Sequence, residues 1–387
     1  MKILHVFGQM GYGGAEMRTL DLMRNVDRER YCFDFCALSG RKGPLEEEIR
    51  RLGGEVFHCD IRAPLFAIRF VRLLGRGGYD VVHSHVHHSS GLILALARLC
   101  RVSGRIAHFR STQDGREATM GRRVQREAMK KLLDWNATGI LAVGRSAMEA
   151  SWKSNWQQDS RCEAIPNGLD TVPFEMAADP GGVRREFGMP EGSELLIHVG
   201  RMSMPKNHVR VAEVAAILLS EKKDRRVLFA GKENEGIKLA MEERFSARGV
   251  LGQVCFAGER RDVPRLLKGS DLFVFPSLWE GLPGALLEAC AAGTPALASD
   301  IAANRELGGT FPGIRLLGLE ASDEKWAAAA RTLLERRPVE GDRKAALAHI
   351  RTTEYSIERC AQAHARAWES SVARGRRHGS HSKAGED

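Results

Sequence analysis

Short apolar runs recur along the chain, each closed by a glycine-bearing or polar turn and followed by a stretch with helical spacing of apolar residues. In the first half, runs at 2–7, 33–38, 55–58, 80–83, 105–108, 137–143 and 161–165 predict strands, and 15–25, 44–52, 65–74, 91–99 and 120–135 predict helices. The pattern then restarts. Strands are predicted at 195–199, 226–230, 254–257, 272–275, 294–299 and 314–317, and helices at 262–268, 285–292, 325–336, 342–351 and 355–372. Apolar strands alternating with helices imply parallel sheets covered on both faces. The expected fold is α/β, with two Rossmann-like doubly wound parallel-sheet domains and ligands beyond the carboxyl ends of the strands. Asp179-Pro180-Gly181-Gly182 reads as a linker, so the expected bounds are 1–175 and 176–352, a last helix at 353–373, and a disordered basic tail at 374–387.

Composition narrows the setting. With 387 residues there is room for two domains, and 43% hydrophobic with 28% charged residues describes an ordinary soluble globular chain. The eight cysteines are scattered rather than paired, which points to a reducing compartment. No apolar run is long enough to span a membrane, and the first residues read as a strand rather than a leader, so the expected location is the cytoplasm. A net charge of +9 favours anionic partners without choosing among them.

The strand ends carry the candidate chemistry. After 272–275 come Glu280, Gly281, Leu282, Pro283 and Gly284, then a helix bearing Glu288 and stopped by Gly293. Pro283 is expected at the first helical position, so the free amides and dipole of that helix open into a carboxylate-bearing loop. After 195–199 comes Gly200-Arg201-Met202-Ser203-Met204-Pro205-Lys206-Asn207, which puts two cations at a strand end. The first strand ends in a glycine loop holding Gly13 and Gly14, with neither a G-x-G-x-x-G nor a G-K-[ST] pattern. His83, His85, His87 and His88 follow another strand, but no carboxylate or cysteine lies nearby at ligand spacing, so no metal site is expected. His108 ends the next strand and is expected to face the ligand, with Arg110 beside it. Asn167 and Gly168 suit a left-handed turn. Residues 98–131 are basic, and Met120 to Trp135 can form an amphipathic helix suited to an anionic leaflet.

These motifs resemble, in order, those of the retaining family-4 glycosyltransferases. Gly13-Gly14-Ala15-Glu16, Asp80-Val81-Val82-His83-Ser84-His85, Ile165-Pro166-Asn167-Gly168, the Arg201/Lys206 loop and the Glu280–Glu288 phrase carry the likeness. The resemblance implies the GT-B fold, two such domains with a cleft between them and a C-terminal helix crossing back to the first. It implies a nucleotide-diphosphate sugar donor, most often UDP-linked, a glycan or lipid-linked acceptor, and no metal or other cofactor. Glu288 would hold the ribose, and Glu280 with Gly281, Leu282, Pro283 and Gly284 the sugar. Arg201 and Lys206 would carry the diphosphate charge, His108 would contact the sugar, and Gly13, Gly14 and Asn167 would line the substrate site. The expected place is the cytoplasm, with peripheral contact at the inner membrane face through the basic helix. Two other readings stay open: a GT-B nucleotide-sugar epimerase, and a non-catalytic nucleic-acid binder using 98–131, although no nucleic-acid motif occurs.

Overall fold

The computed structural model describes residues 1–112 and 119–381. The chain divides into two compact units, one formed by Met1–Gly168 with the segment from Ile357 onward, the other by Leu169–Ser356. The crossings fall at 168/169 and 356/357. Leu169 N–H donates to Tyr355 C=O at 2.8 Å, which ties the two ends of the second unit together.

The first unit holds a seven-stranded sheet of β1 (Lys2–Phe7), β2 (Cys32–Ala37), β3 (Val56–His58), β4 (Val81–Ser84), β5 (Gly104–Phe109), β6 (Gly139–Ala142) and β7 (Cys162–Ala164), in the order β3-β2-β1-β4-β5-β6-β7. The second holds a six-stranded sheet of β8 (Glu194–Val199), β9 (Arg225–Ala230), β10 (Val254–Gly258), β11 (Leu272–Phe275), β12 (Ala296–Ser299) and β13 (Ile314–Leu317), in the order β10-β9-β8-β11-β12-β13. All of the strand pairs are parallel. The winding reverses between β1 and β4 and between β8 and β11, and a doubly wound sheet opens a crevice at such a point.

Strand periodicity explains the two-sided cover. Leu195, Ile197 and Val199 of β8 enter one core with Phe273 and Phe275 of β11 and Ala296 and Ala298 of β12. The alternate residues Leu196, Leu272, Val274 and Leu297 enter the opposite core. Five helices matter for the sites: α1 (Gly14–Asn25), α2 (Met120–Asn136), α3 (His208–Glu221), α4 (Gly284–Ala291) and α5 (Ile357–His381). The first core of the second unit takes Leu286 and Leu287 of α4, and the opposite core takes Val211, Ala215 and Leu218 of α3. In the first unit, Trp368 and Val372 of α5 pack with Ile3, Phe33, Phe35 and Ile106. The approach is so close at Gly375 that a Cβ would strike the Ser103 carbonyl, so only glycine fits.

The structure departs from the sequence expectations at several places, and the helices His208–Glu221 and Ala302–Gly308 are among the elements not predicted. The expected linker at 179–182 is a helix start, Pro180–Glu186, with Asp179 accepting from Gly182 N–H at 2.7 Å and Pro180 at its first position. Pro283 is the N-cap of α4, and Gly284 is its first helical residue. A helix at Glu235–Ala247 was not predicted, because it buries only Met241 and Phe245 and so shows little apolar periodicity. Residues 374–381 continue α5 rather than forming a disordered tail, while 382–387 lie outside the described residues. Asp114, Arg116 and Glu117 of the basic stretch also lie outside them. No helix among the described residues is long and apolar enough to cross a membrane.

Candidate functional site

In the second unit, the candidate site grows from the ends of the neighbouring strands β8 and β11. Beyond β8 the loop from Gly200 is fixed by its backbone, with Gly200 N–H donating to Ala230 C=O at 2.9 Å and Met202 N–H to Lys232 C=O at 2.8 Å. Gly231, at φ 147°, lies against the Gly200 carbonyl where a Cβ would strike it. The two strand-end loops then bond to each other: Leu278 N–H donates to Pro205 C=O at 2.8 Å, and Asn207 Nδ2 donates to Pro276 C=O at 3.1 Å. These bonds bring Lys206 Nζ to 2.6 Å from Glu280 Oε1, and Nζ also stands 5.0 Å over the Phe275 ring. The side chain of Arg201 is exposed, with no ion pair among the described residues. Gly281, Leu282, Pro283 and Gly284 complete the turn, and no side chain caps the N-terminus of α4. Its first amides and positive dipole end are therefore available to an anion. Glu288 is half-buried in the second turn of α4.

Two buried histidines lie below this loop. His198 Nδ1 donates to Val274 C=O at 2.8 Å. Burial, with the positive charge of Lys206 adding to it, holds His198 well below the ordinary histidine value and His208 down to about 4. The two imidazoles are therefore neutral, so the positive charges on the loop are those of Arg201 and Lys206, the latter paired with Glu280.

In the first unit, the loop after β1 leads into α1, with Gly13 as its N-cap. The Glu16 carboxylate folds back over Gly13, where any Cβ would collide with it, so this helix end already has an anion beside it. The ends of β1, β4 and β5 gather a cluster of rings. His83 Nε2 lies 3.1 Å from His108 Nδ1, His85 Nε2 lies 3.0 Å from His5 Nδ1, and Trp368 Nε1 lies 3.1 Å from His83 Nδ1. Arg110 donates through Nε to His85 Nδ1 at 3.1 Å, and its other nitrogens donate to Asn167 Oδ1 and Thr19 Oγ1. Burial, with the Arg110 charge among the further causes, pushes His5, His83, His85 and His108 far below the usual value and His364 to about 3; burial also lowers Arg110 to about 10.

His108, expected to face the ligand from the end of its strand, lies deep in this cluster. It is 1% exposed, because β5 alternation puts it on the same face as Arg110 but one step deeper, and its Nε2 has no partner among the described residues. Arg110 takes the rim position. His87 and His88 turn away, with His88 Nε2 on the Ser151 carbonyl at 2.9 Å. Nitrogens of His5, His83 and His85 lie within 4.8 Å of one another, a spacing that a metal ion could bridge. Five of the six ring nitrogens are engaged, His5 Nδ1 with His85 Nε2, His83 with Trp368 and His108, and His85 Nδ1 with Arg110, and the adjacent guanidinium disfavours a further cation.

The second unit thus brings Lys206 and Glu280 into contact at two bonded strand-end loops, with Arg201 on the same loop as Lys206 and Gly281–Gly284 and Glu288 following Glu280 into α4. The first joins Asn167 to Arg110 and stacks His108 on His83, with ring centroids 5.2 Å apart. Sequence reading missed His5, His364 and Trp368. The available signal was a polar residue inside an apolar strand for His5; nothing local pointed to the α5 pair.

Similarity to known proteins agrees with this geometry. Residues 12–172 match the family model "Glycosyltransferase Family 4", and residues 183–346 match "Glycosyl transferases group 1". The chain is 32% identical over 339 residues to the capsular polysaccharide biosynthesis glycosyltransferase CapH of Staphylococcus aureus, covering 87% of this chain and 92% of that one. It is 31% identical over 307 residues to the putative glycosyltransferase EpsF of Bacillus subtilis, covering 77% and 79%. Its fold is that of Anabaena HepE, solved with UDP-glucose, at a TM-score of 0.76 and 18% identity over 96% of this chain and 100% of that one. The fold is GT-B, and the chain belongs to the group-1, family-4 glycosyltransferases.

Proposed function

We propose that this protein transfers a hexose-type sugar from a nucleotide-diphosphate donor, most simply UDP-linked, to a glycan or lipid-linked acceptor in polysaccharide assembly, with retention of configuration and without a metal. The observation that carries the reading is the Lys206–Glu280 pair at 2.6 Å, held by two bonded strand-end loops that lead into a helix N-terminus with no side-chain cap, with Arg201 on the same loop as Lys206. A diphosphate suits that combination. Its oxygens would take Arg201, Lys206 and the first amides of α4, and these would carry the charge that develops as the glycosidic bond breaks. Glu288 would accept both ribose hydroxyls, and Glu280 with the 281–284 backbone would orient the sugar. No side chain acts as a nucleophile; the departing phosphate oxygen takes the acceptor proton on the same face. His108 would donate to a sugar oxygen, and Gly13, Gly14 and Asn167 would serve the acceptor side. HepE was solved with UDP-glucose, and CapH is named for capsular polysaccharide, which support the donor and the setting.

A thermal-shift screen of UDP-, GDP- and ADP-sugars tests this. UDP-glucose at about 100 times its Kd should stabilise the protein by about 2.7 kcal/mol, and the shift should vanish in an R201A/K206A double variant. No shift with any nucleotide sugar would sink the reading.

The same reading includes contact with an anionic membrane. Met120, Val124 and Trp135 of α2 are 74%, 64% and 69% exposed, and Arg122, Arg123 and Lys131 are exposed with them. Each basic residue near an anionic leaflet contributes about 1 kcal/mol, and the apolar side chains can enter the headgroup region. The protein should float with phosphatidylserine-containing liposomes at low salt and stay behind with neutral ones. Absence of co-flotation at low salt would remove this part of the proposal.

A further inference from the structure

We infer that Trp368 is a positioning residue for His108: its indole N–H, acting through His83, fixes His108 as a hydrogen-bond donor at Nε2. The inference rests on the proposed contact between His108 and a ligand oxygen.

An indole N–H can only donate, and Trp368 Nε1 stands 3.1 Å from His83 Nδ1. His83 must therefore accept at Nδ1, which leaves the proton of a neutral ring on Nε2. That Nε2 is 3.1 Å from His108 Nδ1. His108 must accept there in turn and carry its own proton on Nε2. Both rings are fully buried and lie near Arg110, so neither holds a second proton at neutral pH. A second relay runs parallel to the first. The guanidinium of Arg110, likewise donor-only, gives Nε–H to His85 Nδ1 at 3.1 Å, and His85 Nε2 reaches His5 Nδ1 at 3.0 Å. Two donor-only side chains thus set the tautomers of two imidazole pairs.

The relay ends on a buried N–H with no partner among the described residues. A buried donor left unmade costs about 1–3 kcal/mol, and a ligand oxygen, from a sugar hydroxyl or a phosphate, would offset that cost. The opposite tautomer would turn a lone pair toward the same place, which repels a phosphate oxygen and meets a hydroxyl only by accepting its proton. The arrangement also defines what His108 does not do: with Nε2 protonated and Nδ1 occupied, it takes no proton from an acceptor, and its role is to donate a hydrogen bond.

Long-range 15N–1H spectra of the full chain, with histidines labelled, test the relay without reference to activity. In the wild type, His83 and His108 should both bear the proton on Nε2. In Trp368→Phe, which keeps an aromatic ring but removes the donor, both should become tautomer mixtures. A His108 protonated at Nδ1 in the wild type, or an unchanged spectrum in W368F, overturns the inference; should W368F not fold, the wild-type spectrum alone decides. With UDP-glucose as the probe and UDP release as the readout, W368F should lower kcat by about tenfold to a hundredfold with KM unchanged. His108→Gln, whose amide N–H replaces Nε2–H, should retain more activity than His108→Asn. Adding W368F to H108Q should cost nothing more, because an amide has no tautomer to set. An equal loss in that background would assign the effect to packing and overturn the proposal. If the wild type releases no UDP, the donor reading fails while the spectra still decide the relay.

Discussion

Replacing Lys206 with alanine is expected to lower turnover by about two to three orders of magnitude while the protein stays folded. Lys206 is the cation that the two strand-end loops are built to place. Its ammonium stands 2.6 Å from Glu280 and over the Phe275 ring, and the bonds Leu278 to Pro205 and Asn207 to Pro276 fix the loops that carry it. At an effective dielectric near 20, a unit charge about 4 Å from a phosphate oxygen contributes about 4 kcal/mol, and the leaving diphosphate gains charge as the bond breaks. Most of that interaction would therefore appear in kcat rather than KM. Glu288→Ala should separate from it: losing the ribose acceptor weakens ground-state and transition-state binding alike, so KM for the nucleotide sugar should rise more than kcat falls. UDP release and sugar transfer, measured beside circular dichroism of each variant, check both. Wild-type turnover by K206A would remove Lys206 from the assignment.

Acidification should unfold the first unit before the second. His5, His83, His108 and His364 are buried in the first unit and His85 is partly buried beside them; burial, joined by the Arg110 charge, depresses their pKa values, and His88 falls to about 4. The second unit has His198 and His208 in the same condition. The sign follows from which state binds protons. Above about pH 6.5 the rings are neutral folded and unfolded, so they cost nothing. Below it the unfolded chain protonates them and the folded chain does not, so stability falls with pH until the folded values are reached. Each ring contributes up to about 1.4 kcal/mol per pH unit, and several acting together consume much of a typical stability of about 5–15 kcal/mol. Hydrogen exchange between pH 7 and 5 reads this directly: amides of β1, β4 and β5 should lose protection before those of β8 and β11. Equal loss in both units, or earlier loss in the second, would contradict it.

Much of this was legible in the sequence because the second unit's site is local. Arg201 and Lys206 follow one apolar run, and Glu280 through Glu288 follow another, so two short segments bring nearly all of its chemistry. Parallel pairing of β8 with β11 did the rest, since a doubly wound sheet puts those two ends side by side. The first unit's cluster was less legible for the opposite reason. His83 meets Trp368 across 285 positions of sequence, and no local pattern distinguishes Trp368 from any other apolar residue on an amphipathic helix. His108 was expected to face a ligand because it ends a strand; that rule does not say how deep a strand end lies once a helix covers it. Asp179-Pro180-Gly181-Gly182 has the composition of a linker and the capping chemistry of a helix start, and tertiary context chose the second.

The hydrogen bond between Leu169 and Tyr355 has a consequence for biosynthesis. Since the second unit enters and leaves at adjacent points, residues 169–356 emerge from the ribosome as a complete sheet with both of its ends present. The first unit emerges earlier yet must wait, because α5 is translated after everything else it packs against. Until then Ile3, Phe33 and Phe35 lack the indole that seals them, so the order of maturation is the reverse of the order of synthesis.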